Sequence, residues 1–365
     1  MTTLKHCSTN EKINTGRQLE FDLAKALAIV FMAWVHTLEE TESVSEALMP
    51  TLIEKVFGGP FAAPVFMVAL GIGLVYTKHA TASHFAKRGI ELLIIGFLLN
   101  VVRFVLPAVW KAVGLSQDFD YESEIAWLVS VDILQFAGLA FLYFALAAKY
   151  RFSPTVLAIV AVVCSLLGMA LQGMSIDNHI GKQFLGYFWA ASDETFFPFL
   201  NWLIFPTFGY LFGLLWQKCA DKDRFYRYAT PIGMILGVGY MAFALNAEWG
   251  MYNSEITNSH YYMNLLDASF ILMFVVGWFG VCHWLLRILP QKVFLPMFNL
   301  SRNINQVYCI HWIILGFFGV WFRDFLHKTE LPVWEVSVYA ALILLVSGIL
   351  AEIYVRHIKK MIFKS

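Results

Sequence analysis

The chain has 365 residues, of which 59% are hydrophobic, 16% aromatic and only 14% charged, and its formal net charge is zero. Soluble domains carry about 25% charged residues, so this composition excludes a soluble globular protein and indicates a polytopic membrane protein. The zero net charge argues against nucleic acid as a partner.

Ten apolar segments are long enough to cross a membrane. About 20 apolar residues span the hydrocarbon core, and backbone groups in lipid must be satisfied within a helix or a closed barrel. The runs are continuous rather than alternating with period two, which favours helices. The predicted spans are 20–38, 58–77, 89–109, 125–147, 153–172, 196–216, 231–247, 264–286, 304–321 and 333–355. We therefore predict an all-α bundle of about ten transmembrane helices, in contact with the lipid bilayer throughout.

The basic residues predict the orientation of this bundle. If the N-terminus is cytoplasmic, 19 Lys and Arg residues fall on the cytoplasmic side and 5 fall in the outside loops. This bias follows the positive-inside rule. We therefore place both termini in the cytoplasm, with tails at 1–18 and 357–365 and a membrane domain at 19–356. No short apolar stretch ends in a cleavage site, so no signal peptide is expected, and a bacterial cytoplasmic membrane is the expected location.

The first predicted span carries polar side chains near both of its ends. Asp22 and Lys25 share a helix face and can neutralise each other, so a structural ion pair is an alternative to any role in binding. His36 lies about 21 Å further along the axis, at the predicted outer end. Glu39 and Glu40 follow at i+3 and i+4, where either carboxylate can orient the imidazole. We predict that His36 is catalytic and that Glu39 or Glu40 assists it.

Other polar side chains fall at several depths of the predicted bundle. They are, from the predicted outer face through the middle to the cytoplasmic face, Arg103, Asp132, Gln135, Asp267, His311, Arg302 and Asn303. Polar groups at membrane depth usually face the bundle interior or a wet cavity. Their distribution predicts a path across the membrane, as in a transporter or in an enzyme whose substrates lie on opposite sides. An interhelical tie between Arg103 and Asp132 is the structural alternative for these two.

Several segments resemble the transmembrane acyltransferase superfamily, which includes the acyltransferase 3 proteins and the heparan-alpha-glucosaminide N-acetyltransferase-like proteins. The segment 17–29 is similar to the start of their first helix, and His36 stands where acyltransferase 3 proteins have an outer histidine. The further similar segments are 58–71, 196–213 and 300–311. Lys25 departs from the usual Arg of the first helix. In the heparan-type branch the outer histidine lies in the following loop, so the role of His36 rests on the acyltransferase 3 branch.

The resemblance implies transfer of an acetyl or other acyl group from cytoplasmic acyl-CoA to a hydroxyl or amine of an extracytoplasmic, sugar-like acceptor. The residues expected to bind the donor, acetyl-CoA, are Lys25, Arg88, Arg302, Asn303 and His311. The residues expected to bind the acceptor, a sugar or small molecule, are Arg103, Asp132, Gln135 and Asp267. No metal is expected. Direct transfer and an acyl-histidine intermediate are both open.

Two other functions stay open at this point. A proton-coupled transporter or exporter of a small solute could use Asp22, Asp132 or Asp267, although the two halves of the chain show no clear repeat of the kind that such folds often contain. A membrane sensor or assembly partner is the second alternative, and the chain shows no soluble signalling domain that would favour it.

Overall fold

The computed structural model describes residues 11–41, 48–105, 109, 127–191, 195–256, 258–322 and 330–358. All secondary-structure elements in these residues are helical. The α-helices are α1 (Leu19–Glu40), α2 (Leu48–Thr51), α3 (Ala63–Tyr76), α4 (Ala82–Asn100), α5 (Ile133–Lys149), α6 (Pro154–Leu171), α7 (His179–Gly186), α8 (Phe199–Trp202), α9 (Ile204–Trp216), α10 (Lys222–Asn246), α11 (Leu265–Ile288), α12 (Leu295–Arg302), α13 (Ile304–Val320) and α14 (Val333–Ile353). Three of them, α2, α4 and α14, continue as π-helical turns at Leu52–Phe57, Val101–Val105 and Tyr354–Ile358.

The predicted all-α class is confirmed for the described residues, and each of the ten predicted spans overlaps a helix. Within the described residues, six helical segments can cross a membrane by length and composition: Leu19–Glu40, Pro154–Leu171, Phe199–Trp216, Lys222–Asn246, Leu265–Ile288 and Val333–His357. Three more apolar helices are shorter: Ala63–Tyr76, Ile133–Lys149 and Ile304–Gly319. The count of ten spans and the cytoplasmic termini stay predictions.

Polar caps fix the start of two long helices. The side chain of Asp221 accepts a hydrogen bond of 2.8 Å from the backbone N–H of Arg224, which caps α10. Ser153 caps α6 in the same way, with Pro154 at the first helical position. Such caps satisfy backbone N–H groups that have no partner within the helix. The cap at Asp221 explains why α10 begins nine residues before the apolar segment predicted at 231–247.

The described chain divides into two compact units. The first contains the described residues of 1–21, 64–97 and 129–288, and the second contains those of 22–63, 98–128 and 289–365. In the first unit, α3 and α9 meet backbone to backbone, because a Cβ at Gly71 or Gly209 would overlap a backbone carbonyl oxygen of the facing helix. Small residues allow this approach, and close packing drives helix association in lipid.

The second unit has an apolar cluster around the end of α1. Its buried members are Val35, Leu38, Ile53, Phe322, Leu331 and Val336. These side chains come from α1, the π-helical turn after α2, the residues that follow α13, and the residues at and just before the start of α14. The cluster therefore fixes the last turns of α1, which carry His36, against the two helices at the end of the chain.

Candidate active site

Two histidines of the second unit are hydrogen-bonded to each other. Nδ1 of His36, on α1, lies 3.2 Å from Nε2 of His311, on α13. The two rings are nearly parallel, with an interplanar angle of 12° and centroids 5.5 Å apart. His311 is completely buried, whereas His36 is half-buried. One helix end at the start of the chain and one helix near its end therefore supply a single pair of imidazoles.

The hydrogen bonds of His311 determine which ring nitrogens carry protons. Its Nδ1 lies 2.5 Å from the carbonyl oxygen of Tyr308, one turn earlier on α13. A carbonyl oxygen only accepts, so Nδ1 of His311 carries a proton, and Nε2 of the neutral ring is an acceptor. Nδ1 of His36 must then donate to His311. In the neutral state of both rings, Nε2 of His36 therefore has its lone pair available as a base.

A tryptophan and an arginine complete the cluster around His36. The ring of His36 stacks on Trp312, with centroids 4.0 Å apart and an angle of 26° between the planes. The guanidinium carbon of Arg103 lies 3.1 Å from the centroid of the same indole. Arginine favours such stacked positions because its guanidinium is planar and weakly hydrated. The permanent positive charge of Arg103 therefore lies over the indole of Trp312, on which the ring of His36 also stacks.

Close backbone contact positions Arg103. This residue belongs to the π-helical turn after α4, and such turns are frequent at functional sites. A Cβ at Gly316 would lie only 2.9 Å from the carbonyl oxygen of Arg103. Gly316 is four residues after Trp312 on α13 and shares its helix face. The absence of a side chain at Gly316 lets the turn approach α13 at the level of Trp312.

The carboxylates predicted to assist His36 lie on the last turn of α1. The helix does continue through Glu40, as that prediction required. The hydrogen bond of the His36 ring, however, goes to His311 and not to Glu39 or Glu40. His311 of α13 thus makes the hydrogen bond to the His36 ring that helical spacing had suggested for a carboxylate. Participation of Glu39 or Glu40 in the reaction stays a prediction.

Lys25, predicted to bind the donor, forms an ion pair on its own helix. Its Nζ lies 2.8 Å from Oδ1 of Asp22. The hydroxyl of Ser301 donates a further hydrogen bond of 3.1 Å to the same oxygen, which ties α1 to α12 within the second unit. The ion pair between Asp22 and Lys25, which was the structural alternative to a role in binding, is therefore present in the fold. About a quarter of the Lys25 side chain remains exposed, so a contact with an anion is sterically open.

Of the other predicted donor residues, Arg88 belongs to the first unit, and Arg302, Asn303 and His311 belong to the second. Arg88, in the first unit, forms an ion pair of 3.3 Å with Glu91 on the same helix. Arg302 ends α12 and is exposed, and Asn303 follows it directly. His311 is bonded to His36, so its geometry joins it to the predicted catalytic residue rather than to a phosphate-binding group.

Asp132 and Gln135, predicted to bind the acceptor, form the N-terminal cap of α5 in the first unit. Asp132 accepts a hydrogen bond of 2.6 Å from the N–H of Ile133, and Oε1 of Gln135 accepts one of 3.1 Å from the N–H of Asp132. This reciprocal arrangement is a capping box. The geometry gives both side chains a structural task at the start of the helix.

Asp267 has a similar task at the start of α11. Its side chain accepts a hydrogen bond of 3.0 Å from the N–H of Asn264 and another from the hydroxyl of Tyr240. The side chain of Asn264 in turn accepts from the N–H of Asp267. Arg103, the fourth predicted acceptor residue, belongs to the second unit and lies on Trp312 beside the histidine pair.

A model of the acyltransferase 3 family, described as an acyltransferase domain, matches residues 18–352. The chain belongs to the acyltransferase 3 family. The match runs from the residue before α1 almost to the end of α14, so it includes both histidines and Arg103. No curated protein matches the chain. The family and the apolar helices together make it an integral membrane acyltransferase.

Two residues of the candidate active site were not found by sequence reasoning. Trp312 contacts both His36 and Arg103, and Gly316 admits the backbone of Arg103. The only sequence signal for them is their spacing from His311, at i+1 and i+5 on a helix that is otherwise rich in large apolar residues. Tryptophan and glycine are both frequent in membrane helices, so neither residue was distinctive.

Proposed function

We propose that this acyltransferase moves an acetyl group from cytoplasmic acetyl-CoA to a hydroxyl or amine of a sugar-like acceptor across a bacterial cytoplasmic membrane. The observation that carries the proposal is the hydrogen-bonded pair of His36 and His311. Because Tyr308 holds the proton of His311 on Nδ1, the pair leaves Nε2 of His36 unprotonated. A neutral imidazole in this state suits general-base catalysis near pH 7.

In the proposed reaction, Nε2 of His36 takes the proton from the acceptor hydroxyl or amine as its oxygen or nitrogen attacks the thioester carbonyl carbon. The carbon–sulfur bond then breaks, and the imidazolium of His36 returns the proton to the sulfur of the departing CoA. Throughout these steps His311 keeps accepting the hydrogen bond from Nδ1 of His36, which fixes the ring and stabilises its charged form. General-base help of this kind contributes about 10²–10⁴-fold to the rate.

Arg103 is proposed to stabilise the negative charge that develops on the thioester oxygen. Its guanidinium is held on Trp312, beside the ring of His36, and carries five N–H donors. A preorganised donor at a developing oxyanion is worth about 10²–10³ in rate. Stacking restricts the guanidinium before the substrate binds, so little reorganisation is needed during the reaction.

The phosphates of CoA are proposed to bind the exposed basic groups at the predicted cytoplasmic face. Arg302 is exposed at the end of α12, and Lys25 is partly exposed on α1 of the same unit. Arginine binds phosphate through paired N–H groups, which makes Arg302 the stronger candidate. Lys25 would add positive charge that Asp22 partly compensates.

The proposal is tested in inside-out membrane vesicles that contain the full chain and receive acetyl-CoA labelled in the acetyl group. We expect label to appear on an acceptor inside the vesicles with the wild-type chain, and to be absent with His36→Gln. His84→Ala is the matched control, since His84 is an exposed histidine of α4 and should transfer normally. An active His36→Gln variant, or transport of an unmodified solute without acetyl transfer, would contradict the proposal.

Mass spectrometry of envelope glycans from cells with and without the chain identifies the acceptor. The glycan that loses an acetyl group when the chain is removed is identified as the acceptor.

A second experiment distinguishes direct transfer from an acyl-histidine intermediate. The protein is mixed with labelled acetyl-CoA in the absence of acceptor, and the reaction is quenched rapidly. Label bound to the protein indicates an acyl-histidine intermediate, whereas unlabelled protein supports direct transfer.

A further inference from the structure

A large apolar groove lies in the second unit, apart from the histidine pair. Its volume is about 620 Å³, within the usual range for a ligand site. Helices α1, α12, α13 and α14 line it, with Val30, Leu300 and Leu344 among the lining side chains. The residues that line it do not include His36 or Trp312, so the groove is separate from the candidate active site.

The lining of the groove extends from a tryptophan–serine pair to an acidic residue. At the Trp34 end, the indole N–H of Trp34 donates a hydrogen bond of 3.0 Å to the hydroxyl of Ser337, and both residues line the groove. At the other end lies Glu352, which is paired with Arg356 one turn further on. Ser337 and Glu352 are fifteen residues apart on α14, or about 22 Å along the axis. This shape suits a ligand with one long apolar tail and one polar head.

The groove opens sideways toward the surroundings of α14. Leu295, Leu345 and Ile349 line it, and each side chain is at least half exposed. The segment Val333–His357 is long and apolar enough to cross a membrane. Side chains exposed on such a segment face hydrocarbon, so a lipid can enter the groove directly from the bilayer.

We propose that this groove binds one acyl chain of a membrane phospholipid, with the phosphate of the lipid against Arg356. The groove is longer than the roughly 15 Å depth of one leaflet, half of a hydrocarbon core of about 30 Å, so it accepts an extended chain from the leaflet at the C-terminal end of α14. The side chain of Arg356 is 66% exposed and has N–H groups beyond its contact with Glu352. Guanidinium groups pair well with phosphate oxygens.

Shape and head-group contacts must provide the selectivity of this site. Lipid tails are as apolar as the groove, so moving a chain from the bilayer into it gains little from the hydrophobic effect. Small residues, Ala341 and Gly348, stand among the larger lining residues and leave space for a chain. Filling the space at Ala341 should therefore exclude the chain, and removing the charge of Arg356 should weaken the hold on its head group.

The test uses the full chain in nanodiscs of phosphatidylethanolamine and phosphatidylglycerol, with a trace of phosphatidylglycerol that carries a photoreactive diazirine at the end of one acyl chain. After illumination, mass spectrometry locates the cross-links. We expect them to concentrate at the Trp34 end of the groove, around Trp34 and Ser337. Ala341→Trp should lower this labelling about tenfold, which corresponds to about 1.4 kcal/mol. Leu342→Trp is the matched control, since Leu342 is an exposed neighbour that does not line the groove.

Arg356→Gln gives a second variant that does not depend on packing, because its side chain is mostly exposed. It should lower the labelling at the Trp34 end of the groove while leaving labelling of the exposed face of α6 unchanged. The proposal would be overturned if labelling were as strong on α6 as in the groove and if Ala341→Trp did not change it. That result would show contact with bulk lipid only. Displacement of the probe by long-chain acyl-CoA but not by unlabelled phospholipid would overturn it as well, since the groove would then hold a donor. Acyl transfer is not measured in this experiment, so its outcome is independent of the proposed reaction.

Discussion

Nδ1 of His36 lies 3.2 Å from Nε2 of His311, although 275 residues separate the two histidines in the chain. The carbonyl of Tyr308 accepts from the other nitrogen of His311 and so sets the direction of the hydrogen bond between the rings. His36 donates through Nδ1 and keeps Nε2 unprotonated. In the proposed reaction the two histidines therefore have different tasks, His36 as the base and His311 as its positioning residue.

The first prediction separates these two tasks with the same substitution. His36→Gln should abolish acetyl transfer, because a glutamine amide has no basic nitrogen, and the loss should amount to about 10²–10⁴-fold. His311→Gln should retain measurable transfer, because its amide oxygen can accept the hydrogen bond from Nδ1 of His36. The measurement is the rate of acetyl transfer by each purified variant in proteoliposomes.

His311→Ala is the companion variant, since it removes the acceptor completely. We expect its rate to fall below that of His311→Gln, while its affinity for acetyl-CoA stays close to that of the wild type. A larger effect of His311→Gln than of His36→Gln would reverse the assignment of base and positioning residue.

The second prediction concerns Trp312, which contacts both the ring of His36 and the guanidinium of Arg103. Trp312→Phe keeps an aromatic face for both groups, whereas Trp312→Leu removes it. A cation over an aromatic face contributes about 0.5–2 kcal/mol, so Trp312→Leu should lower both the melting temperature and the transfer rate more than Trp312→Phe. Thermal unfolding in detergent and the rate assay are the measurements, and equal effects of the two variants would exclude an aromatic role.

The third prediction distinguishes a structural from a donor-binding role of Lys25. The Nζ atom of Lys25 lies 2.8 Å from Asp22 on the first membrane helix. Lys25→Met leaves the carboxylate of Asp22 without this partner and should destabilise the protein, because a poorly compensated charge at membrane depth is costly. Asp22→Asn combined with Lys25→Met should recover part of that stability.

The same double variant tests donor binding. If Lys25 also contacts the phosphates of CoA, the KM for acetyl-CoA should stay raised in the double variant even though stability returns. A normal KM in a stable double variant would leave Lys25 with the structural role alone.

The fourth prediction compares two glycines of α3. Gly71 lies against the backbone of α9, whereas Gly73 has open space where a Cβ would be. Gly71→Ala should push the two helices apart and cost about 1–3 kcal/mol, as overpacking usually does. Gly73→Ala should be neutral or stabilising by up to about 1 kcal/mol, because alanine is the better helix former. Equilibrium unfolding in detergent checks both values, and equal effects would show that the close approach at Gly71 is not required.

Hydrophobic run length predicted the apolar parts of the helices well and their ends less well. The span predicted at 153–172 corresponds to α6 at Pro154–Leu171 almost residue by residue. The span predicted at 89–109 lies on a helix that already begins at Ala82. Its first turns contain charged and polar residues that project beyond the apolar run, and a hydropathy criterion cannot include them.

The site was predicted in part for a similar reason. His36 was identified because a lone imidazole at the end of an apolar helix is unusual, and helical spacing then pointed to Glu39 and Glu40 as its partners. Spacing of three or four residues describes neighbours on one helix only. The partner that the structure shows at Nδ1 of His36 is His311, which comes from a different helix. Its contact with His36 depends on how α1 and α13 pack, which no local pattern encodes.

The carbonyl of Tyr308 also determines where a proton can travel. A hydrogen bond from His311 to the main chain of its own helix terminates the pair, because a peptide oxygen cannot pass a proton onward at neutral pH. Hopping from His36 through His311 toward the opposite aqueous phase is thereby blocked. Any proton that Nε2 of His36 removes must therefore leave again through Nε2, as it does in the proposed reaction when the imidazolium protonates the departing thiolate.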